Sequence, residues 1–246
     1  MLRKLFGKNK IKRVPFDASL MQVDMHNHIL FGIDDGARVI DDSLAMLEVY
    51  EALGFRKVIA SPHIMTDEYK NSPETINPPL ESLKVKAADF GIEMAAAAEY
   101  YLDEGFEEKL DRDEILCFHD KHLLFECSMQ HEPANLQELV FAMSLKGYQP
   151  VFAHPERYWF MHDDKLSKYQ KLIDMGVKFQ LNLLSFRGHY GPEIKAIAEK
   201  LVEADMFHVI GSDAHHVKHL ALLKNLEVPE KLMVKLQEGK LMNTQI

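Results

Sequence analysis

Residues 20–28 read Leu20-Met21-Gln22-Val23-Asp24-Met25-His26-Asn27-His28, an apolar run that passes directly into a His-x-His pair. A strand over Leu20–Met25, continued by alternation, sets His26 and His28 on one side, where both imidazoles reach a single ion. Similar runs recur downstream, and the patterning predicts strands at Lys57–Ser61, Ile92–Ala98, His122–Cys127, Pro150–Ala153, Lys178–Asn182 and Phe207–Gly211. Helical periodicity falls between them, over Asp42–Leu53, Pro73–Phe90, Pro133–Leu145, Lys165–Met175 and Pro192–Ala204. Several of these helices stop at a glycine, as at Gly54, Gly147 and Gly176. Strand, helix, strand repeated in this way builds a parallel sheet, and about seven units are enough to close it into a barrel, so the expected class is α/β.

Composition agrees with one sizeable core. The chain has 246 residues, 47% of them apolar and 27% charged, which excludes disorder and a disulfide mini-scaffold. No Gly/Ser/Pro-rich linker interrupts the pattern, so residues 20–246 read as one domain behind a basic tail of residues 1–19. The net charge of −9 argues against a nucleic-acid partner. The first 13 residues, MLRKLFGKNKIKR, run the other way, with basic residues and no acidic one. Lys4, Lys8, Lys10 and Lys12 with Leu2, Leu5 and Phe6 suit peripheral contact with an anionic membrane, against the plainer reading of a solvated tail. With no export or spanning segment in sight, the expected location is the cytoplasm. Self-association is compatible with the sequence and not specified by it.

The residue just after each predicted strand is where chemistry concentrates. The first strand delivers His26 and His28, followed in the loop by Asp34 and Asp35; the second ends at His63, the third at Glu99, the fourth at Glu126, the fifth at His154-Pro155-Glu156-Arg157, and the seventh at Asp213-Ala214-His215. A single histidine or glutamate at a strand end is usually a satisfied structural residue. Six of seven strands delivering such residues to one rim calls for a shared partner, because crowded carboxylates and imidazoles repel or lose solvation unless cations sit among them. Nitrogen and oxygen donors without thiolate suit Mn²⁺ or Fe, and also Zn²⁺.

This order of motifs resembles the polymerase and histidinol phosphatase (PHP) superfamily of metal-dependent phosphoesterases. Within it, DMHNHILFGIDDGA, IASPH, AAEYY, LLFECS, LKGYQPVFAHPER and LVEADMFHVIGSDAHH resemble the branch of bacterial tyrosine phosphatases associated with capsule and exopolysaccharide. The resemblance implies a distorted, TIM-like seven-stranded (β/α)7 barrel with three divalent ions. It assigns one ion to His26, His28, Glu99 and Asp213, a second to Glu99, Glu126 and His154, and a third to Asp35, His63 and His215. Asp34 is the alternative to Asp35, its other role being to hold a ligand histidine. The implied reaction is hydrolysis of phosphotyrosine on protein by metal-activated hydroxide, with a bacterial tyrosine kinase of polysaccharide export as partner.

Arg157 is expected to contact the phosphoryl oxygens, against the plainer reading of an ion pair with Glu156. The second arginine usual after Asp-x-His is missing, which leaves Lys218, or His219 if protonated, to substitute. Arg187 and His189 sit in a predicted rim loop, while His119, His122, His131, His162, His208 and His216 are not expected to bind metal. A cysteine-dependent mechanism needs a thiolate and an arginine with five residues between them. Cys117 and Cys127 have Leu123 and Pro133 there instead. The rival readings are a histidinol-phosphate or other small-molecule phosphatase, a polymerase-associated exonuclease, an amidohydrolase barrel, and a non-catalytic regulatory binder. The acidic charge weighs against the nuclease. The amidohydrolase wants a bridging lysine where this chain has Glu126.

Overall fold

The computed structural model describes residues 11–246. Its strands are β1 (Arg13–Pro15), β2 (Val23–Asp24), β3 (Lys57–Ala60), β4 (His63–Ile64), β5 (Glu93–Ala96), β6 (Glu99–Tyr101), β7 (His122–Glu126), β8 (Gln149–Ala153), β9 (Lys178–Asn182), β10 (Val209–Gly211) and β11 (Glu227–Pro229). Its helices are α1 (Ala18–Met21), α2 (Ile40–Leu53), α3 (Pro73–Lys86), α4 (Glu104–Asp111), α5 (Leu136–Leu145), α6 (Ser167–Asp174), α7 (Leu183–Arg187), α8 (Pro192–Glu203), α9 (Val217–Ala221) and α10 (Glu230–Gln237). Among the described residues no helix is long and apolar enough to cross a membrane.

Two parallel sheets make one curved wall. One runs β10-β9-β8-β7-β6-β4 and the other β2-β3-β5. They are continuous through the chain, because β3 passes into β4 across Ser61-Pro62 and β5 into β6 across Ala97-Ala98. The predicted second and third strands, which stop at Ser61 and Ala98, are therefore each followed after a break by a further short strand, β4 and β6. Proline supplies no N–H to a ladder, which is one physical reason for the first break. At the seam between β2 and β10 the rims meet through a parallel bridge of Asn27 with Ala214, and the His28 N–H donates to the Ala214 carbonyl at 2.9 Å.

Strand alternation sorts the side chains. On β7, Leu123 and Phe125 pack outward against the helices, while Leu124 faces inward with Glu126 two residues further on. Inward-facing Val23, Ile59, Leu124, Val151 and Val209 form an apolar floor beneath the rim, joined by Met25, Phe118, Met242 and Ile246. The larger cluster lies between wall and helices. Helix α2 starts where Asp42 accepts the N–H groups of Arg38 and Val39, at 3.0 and 3.2 Å, and it stops at Gly54, whose φ of 86° only glycine adopts readily.

Three expectations are revised. Residues inside the expected tail are already packed: β1 pairs antiparallel with β11, and Phe16 is buried. The loop expected to carry Arg187 is the short helix α7, begun by the Asn182 side chain accepting the Leu184 N–H. Helix α3 ends at Lys86, short of Phe90. The residues expected to touch a membrane, apart from Lys12, lie outside the described residues; Lys12 pairs with Glu230 at the surface.

Candidate metal centre

The wall converges its polar residues on one end. Glu99 is fully buried at the centre, with Oε2 3.2 Å from His26 Nε2, 3.6 Å from His28 Nε2 and 3.2 Å from His63 Nδ1. Its Oε1 lies 3.0 Å from His154 Nε2. Asp213 Oδ1 is 3.5 Å from His26 Nε2 and 3.3 Å from His28 Nε2. Glu126 Oε1 stands 3.1 Å from His63 Nδ1, and Asp35 Oδ1 is 3.5 and 3.4 Å from Nε2 of His63 and His215. The nine residues singled out from sequence thus meet in space. Local backbone supports this, since His154 and Asp213 adopt left-handed φ values of 35° and 50°, which re-aim side chains at the strand ends.

Neighbouring groups fix the tautomers. His26 Nδ1 donates to Gln180 Oε1 at 2.8 Å, His28 Nδ1 to Asp34 Oδ2 at 2.7 Å, and His215 Nδ1 to the Asp213 carbonyl at 3.0 Å, so each ring turns its Nε2 lone pair inward. Asp34 also accepts the N–H groups of His63 and Gly36. Its oxygens are engaged in holding the loop and His28, whereas Asp35 faces His63 and His215.

The donor set fits cations on a specific observation. His26 Nε2, His28 Nε2, His63 Nδ1, Glu99 Oε2, Glu126 Oε1 and His154 Nδ1 are buried with no hydrogen-bond partner. A buried polar atom left unpaired costs about 1–3 kcal/mol, so several in one cluster point to a ligand that they share. Four overlapping groups of these side chains hold their donor atoms within 4.8 Å of one another: His28, Asp35, His63 and His215; His26, His154 and Asp213; His26, His28 and Glu99; and His63, Glu99 and Glu126.

Electrostatics point the same way. Burial alone pushes Glu99 and Asp213 up, but His26 and the other imidazoles, with Arg157 beside Asp213, hold both well below the usual carboxylate range. Burial likewise pushes His26 down, yet Glu99 and Asp213 lift it to about 9. The field that draws a proton onto His26 draws a cation equally well.

A cavity of about 380 Å³ opens above the donors, and Arg157 lines it. Its Nη1 donates to Asp213 Oδ2 at 2.8 Å, and the guanidinium lies 4.4 Å from the centre of the Tyr190 ring. The plainer reading of Arg157, an ion pair with Glu156, does not hold. Glu156 is fully buried, where its Oε1 accepts from the Asn182 N–H at 2.9 Å and from the Ser185 hydroxyl at 2.7 Å.

Lys218 lines a neighbouring cleft with Arg38, Asp35 and His215. His219 does not meet the condition set for it as a cation: its Nδ1 accepts the His215 N–H, and burial, with His216 and His215 close by, pushes it down to about 4. His216 caps α9 by accepting the His219 N–H. Arg187 donates to the Asn225 carbonyl, and His189 packs its ring on Tyr190 and His219. Cys127 borders the cavity, but burial pushes its thiol far up, and burial takes Cys117 to about 12, so neither is a ready thiolate.

Sequence reasoning offered Asp34 as a partner of a ligand histidine, which it is to His28, but missed the other residues that hold the donors. Gln180 accepts from His26 and, at 3.2 Å, from the His154 N–H. Asn182 donates to Asp213 Oδ2 at 2.8 Å. Asp24 accepts from the Tyr50 hydroxyl at 2.6 Å and from the Ser212 N–H at 3.1 Å, tying β2 to β10 beneath His26. The available signal was polar residues inside apolar runs, at Asp24, Gln180 and Asn182.

A parallel α/β wall with a nitrogen-and-oxygen cation centre at the C-terminal ends of its strands defines a metal-binding α/β protein of the kind that carries out hydrolysis. Residues 22–232 match the family model for capsular polysaccharide synthesis, CpsB/CapC, and the chain belongs to that family. It is 33% identical over 215 residues to the tyrosine-protein phosphatase YwqE of Bacillus subtilis (strain 168), covering 86% of this chain and 83% of the relative. It is 28% identical over 220 residues to the putative tyrosine-protein phosphatase CapC of Staphylococcus aureus, covering 88% and 86%. It also superimposes with a TM-score of 0.76 and 31% identity on a chain from the crystal structures of YwqE of Bacillus subtilis and CpsB of Streptococcus pneumoniae, described as unique metal-dependent tyrosine phosphatases. That match covers 91% of this chain and 90% of the other.

Proposed function

We propose that this protein is a metal-dependent phosphomonoesterase that removes phosphate from tyrosine on protein substrates. The observation that carries the reading is the cluster of buried, partnerless donor atoms beneath a cavity that Arg157 lines. The names of the relatives support the substrate class. The finer reading follows the resemblance: three divalent ions, Mn²⁺ or Fe in preference to Zn²⁺. One is held by His26, His28, Glu99 and Asp213, a second by Glu99, Glu126 and His154, and a third by Asp35, His63 and His215. The wall is read as a distorted seven-stranded barrel, with β3–β4 and β5–β6 each counted once. The substrate protein is read as a tyrosine kinase of polysaccharide export, in the cytoplasm.

When bound, divalent ions supply hydroxide at neutral pH and neutralise phosphoryl charge. The chain's own residues do the rest. Gln180 and Asp34 fix ring orientation, so the inward lone pairs need no rearrangement. Arg157, steadied by Asp213 and Tyr190, presents its remaining N–H groups to the non-bridging oxygens. A phenolate leaving group has a conjugate acid of pKa about 10, so a strong general acid is dispensable, which suits a site with no thiolate or free acid assigned to that task.

Element analysis of the purified protein, run beside turnover of a phosphotyrosine peptide, tests this. Chelator should abolish turnover and thiol alkylation should spare it. The His154→Ala variant should lose about 100-fold or more in kcat/KM, as expected for removal of a group from the metal set. Protein that stays cation-free after soaking with manganese, iron or zinc, or that loses all turnover on alkylation, would overturn the reading.

A further inference from the structure

The cavity has two kinds of lining. Arg157 and His215 follow β8 and β10, whereas Met65 and Tyr69 follow β4, Tyr101 closes β6 and Met129 follows β7. Sheet order sets β4, β6 and β7 side by side, so the four side chains Met65, Tyr69, Tyr101 and Met129 come from one continuous arc of the rim. Their backbone is fixed. The Met65 N–H donates to the Tyr69 carbonyl at 2.8 Å, closing that loop, and the Met129 carbonyl accepts the Trp159 N–H at 3.0 Å. Tyr69 is fixed in orientation too, because its ring stacks on His63 at 5.5 Å with 16° between planes. Tyr101 lies two residues after Glu99 on the same strand and so shares its face.

Nothing in the phosphoryl chemistry requires this arc. The cation-holding groups and the guanidinium that hydrolysis needs come from other side chains, and Tyr69, Tyr101 and the methionines belong to none of those groups. Two tyrosines and two methionines offer offset-stacking faces and polarisable sulfur, a surface that an aromatic ring covers and that the single methylene of a serine phosphate leaves wet. We propose that Tyr69, Tyr101, Met65 and Met129 are specificity-determining residues that receive the phenyl ring of the substrate, so that the site selects aryl over alkyl phosphates. This rests on the phosphatase reading above and assigns the recognition of the leaving group to a named surface.

The test separates ring recognition from turnover. Phenylphosphonate and methylphosphonate, which are not hydrolysed, share the head group and differ in the ring, and their Kd values on metal-loaded protein are measured by calorimetry. Wild-type protein should bind phenylphosphonate the more tightly. Tyr69→Ala should cut that preference by about tenfold, a loss typical of removing one wall of an apolar subsite, and Tyr69→Phe should keep it. Because Tyr69 touches His63, the Met129→Ala variant on a different loop provides a second reading of the same ratio. A fall in the ratio in either alanine variant supports the assignment. No preference in the wild type, or an unchanged ratio in both variants, overturns it. Failure to hydrolyse a phosphotyrosine peptide would instead remove the phosphatase reading and is read separately.

Discussion

At the scale of single residues, His208 shows how burial sets charge away from the site. Its Nδ1 accepts the Phe179 N–H at 3.1 Å, and burial, with Lys178 and Lys235 nearby, pushes it down from 6.5 to about 4. The native state then binds fewer protons than the unfolded chain between those values, so the stabilisation is complete above pH 6.5 and is lost as pH falls toward 4. The full span is on the order of 3 kcal/mol. His208→Asn keeps an acceptor for the Phe179 N–H but has no proton to titrate. Urea unfolding at pH 7 and pH 4.5 should show a smaller acid loss for the variant than for the wild type, and equal losses would refute the assignment. The same contrast explains which residues were legible in the sequence. His26, His28, His63, Glu99, Glu126, His154 and Asp213 stand out because strand alternation places strand-end residues at one rim. Gln180 and Asn182 did not stand out, since a neutral amide carries no sign of its partner until the fold sets His26 and Asp213 beside it.

At the scale of elements, the seam between β2 and β10 is the feature with the least local support. No ladder joins these strands along their length. The bridge of Asn27 with Ala214 holds the rim end. Asn243, fully buried in the C-terminal segment, holds the other: its Nδ2 donates to the carbonyls of Val23 at 3.0 Å and Ile210 at 2.8 Å, and its Oδ1 accepts the Ile210 N–H at 2.9 Å. One side chain does what a neighbouring strand would do. Asn243→Ala leaves these backbone groups unpaired in the interior and should cost about 2–4 kcal/mol by urea unfolding, at about 1 kcal/mol or more for each group. A loss below about 1 kcal/mol would mean that the seam closes by other contacts. All seven predicted strands have counterparts because each carries an apolar run between turn signals, although the first, expected over Leu20–Met25, is cut to Val23–Asp24 because Leu20 and Met21 belong to α1. The short helices α1, α4, α7, α9 and α10 were not foreseen, since four to eight residues give little periodicity to read. Helix α7 depends on Asn182, whose capping role is invisible in an apolar context.

At the scale of the whole molecule, fold and centre are energetically opposed until cations are present. The apolar floor of Val23, Ile59, Leu124, Val151 and Val209 and the surrounding core favour a closed wall. Closing the wall buries Glu99, Glu126, His26, His28, His63 and His154, each with a polar atom left unpaired. Burying polar groups in this way costs stability unless a partner enters, and anything that binds only the folded chain repays that cost by mass action. Each ion held at about 100 times its Kd adds about 2.7 kcal/mol. Chelated protein should therefore remain folded, because the core does not depend on the ions, yet unfold at a clearly lower urea concentration. Restoring Mn²⁺, Fe²⁺ or Zn²⁺ should return the midpoint in proportion to the logarithm of free metal once the sites fill. His154→Ala should show a smaller return than wild type, because it removes one of the groups whose convergence makes cation binding and folding a single event. An unfolding midpoint indifferent to chelator in the wild type would mean that these donors, although gathered in one place, hold no ion with useful affinity.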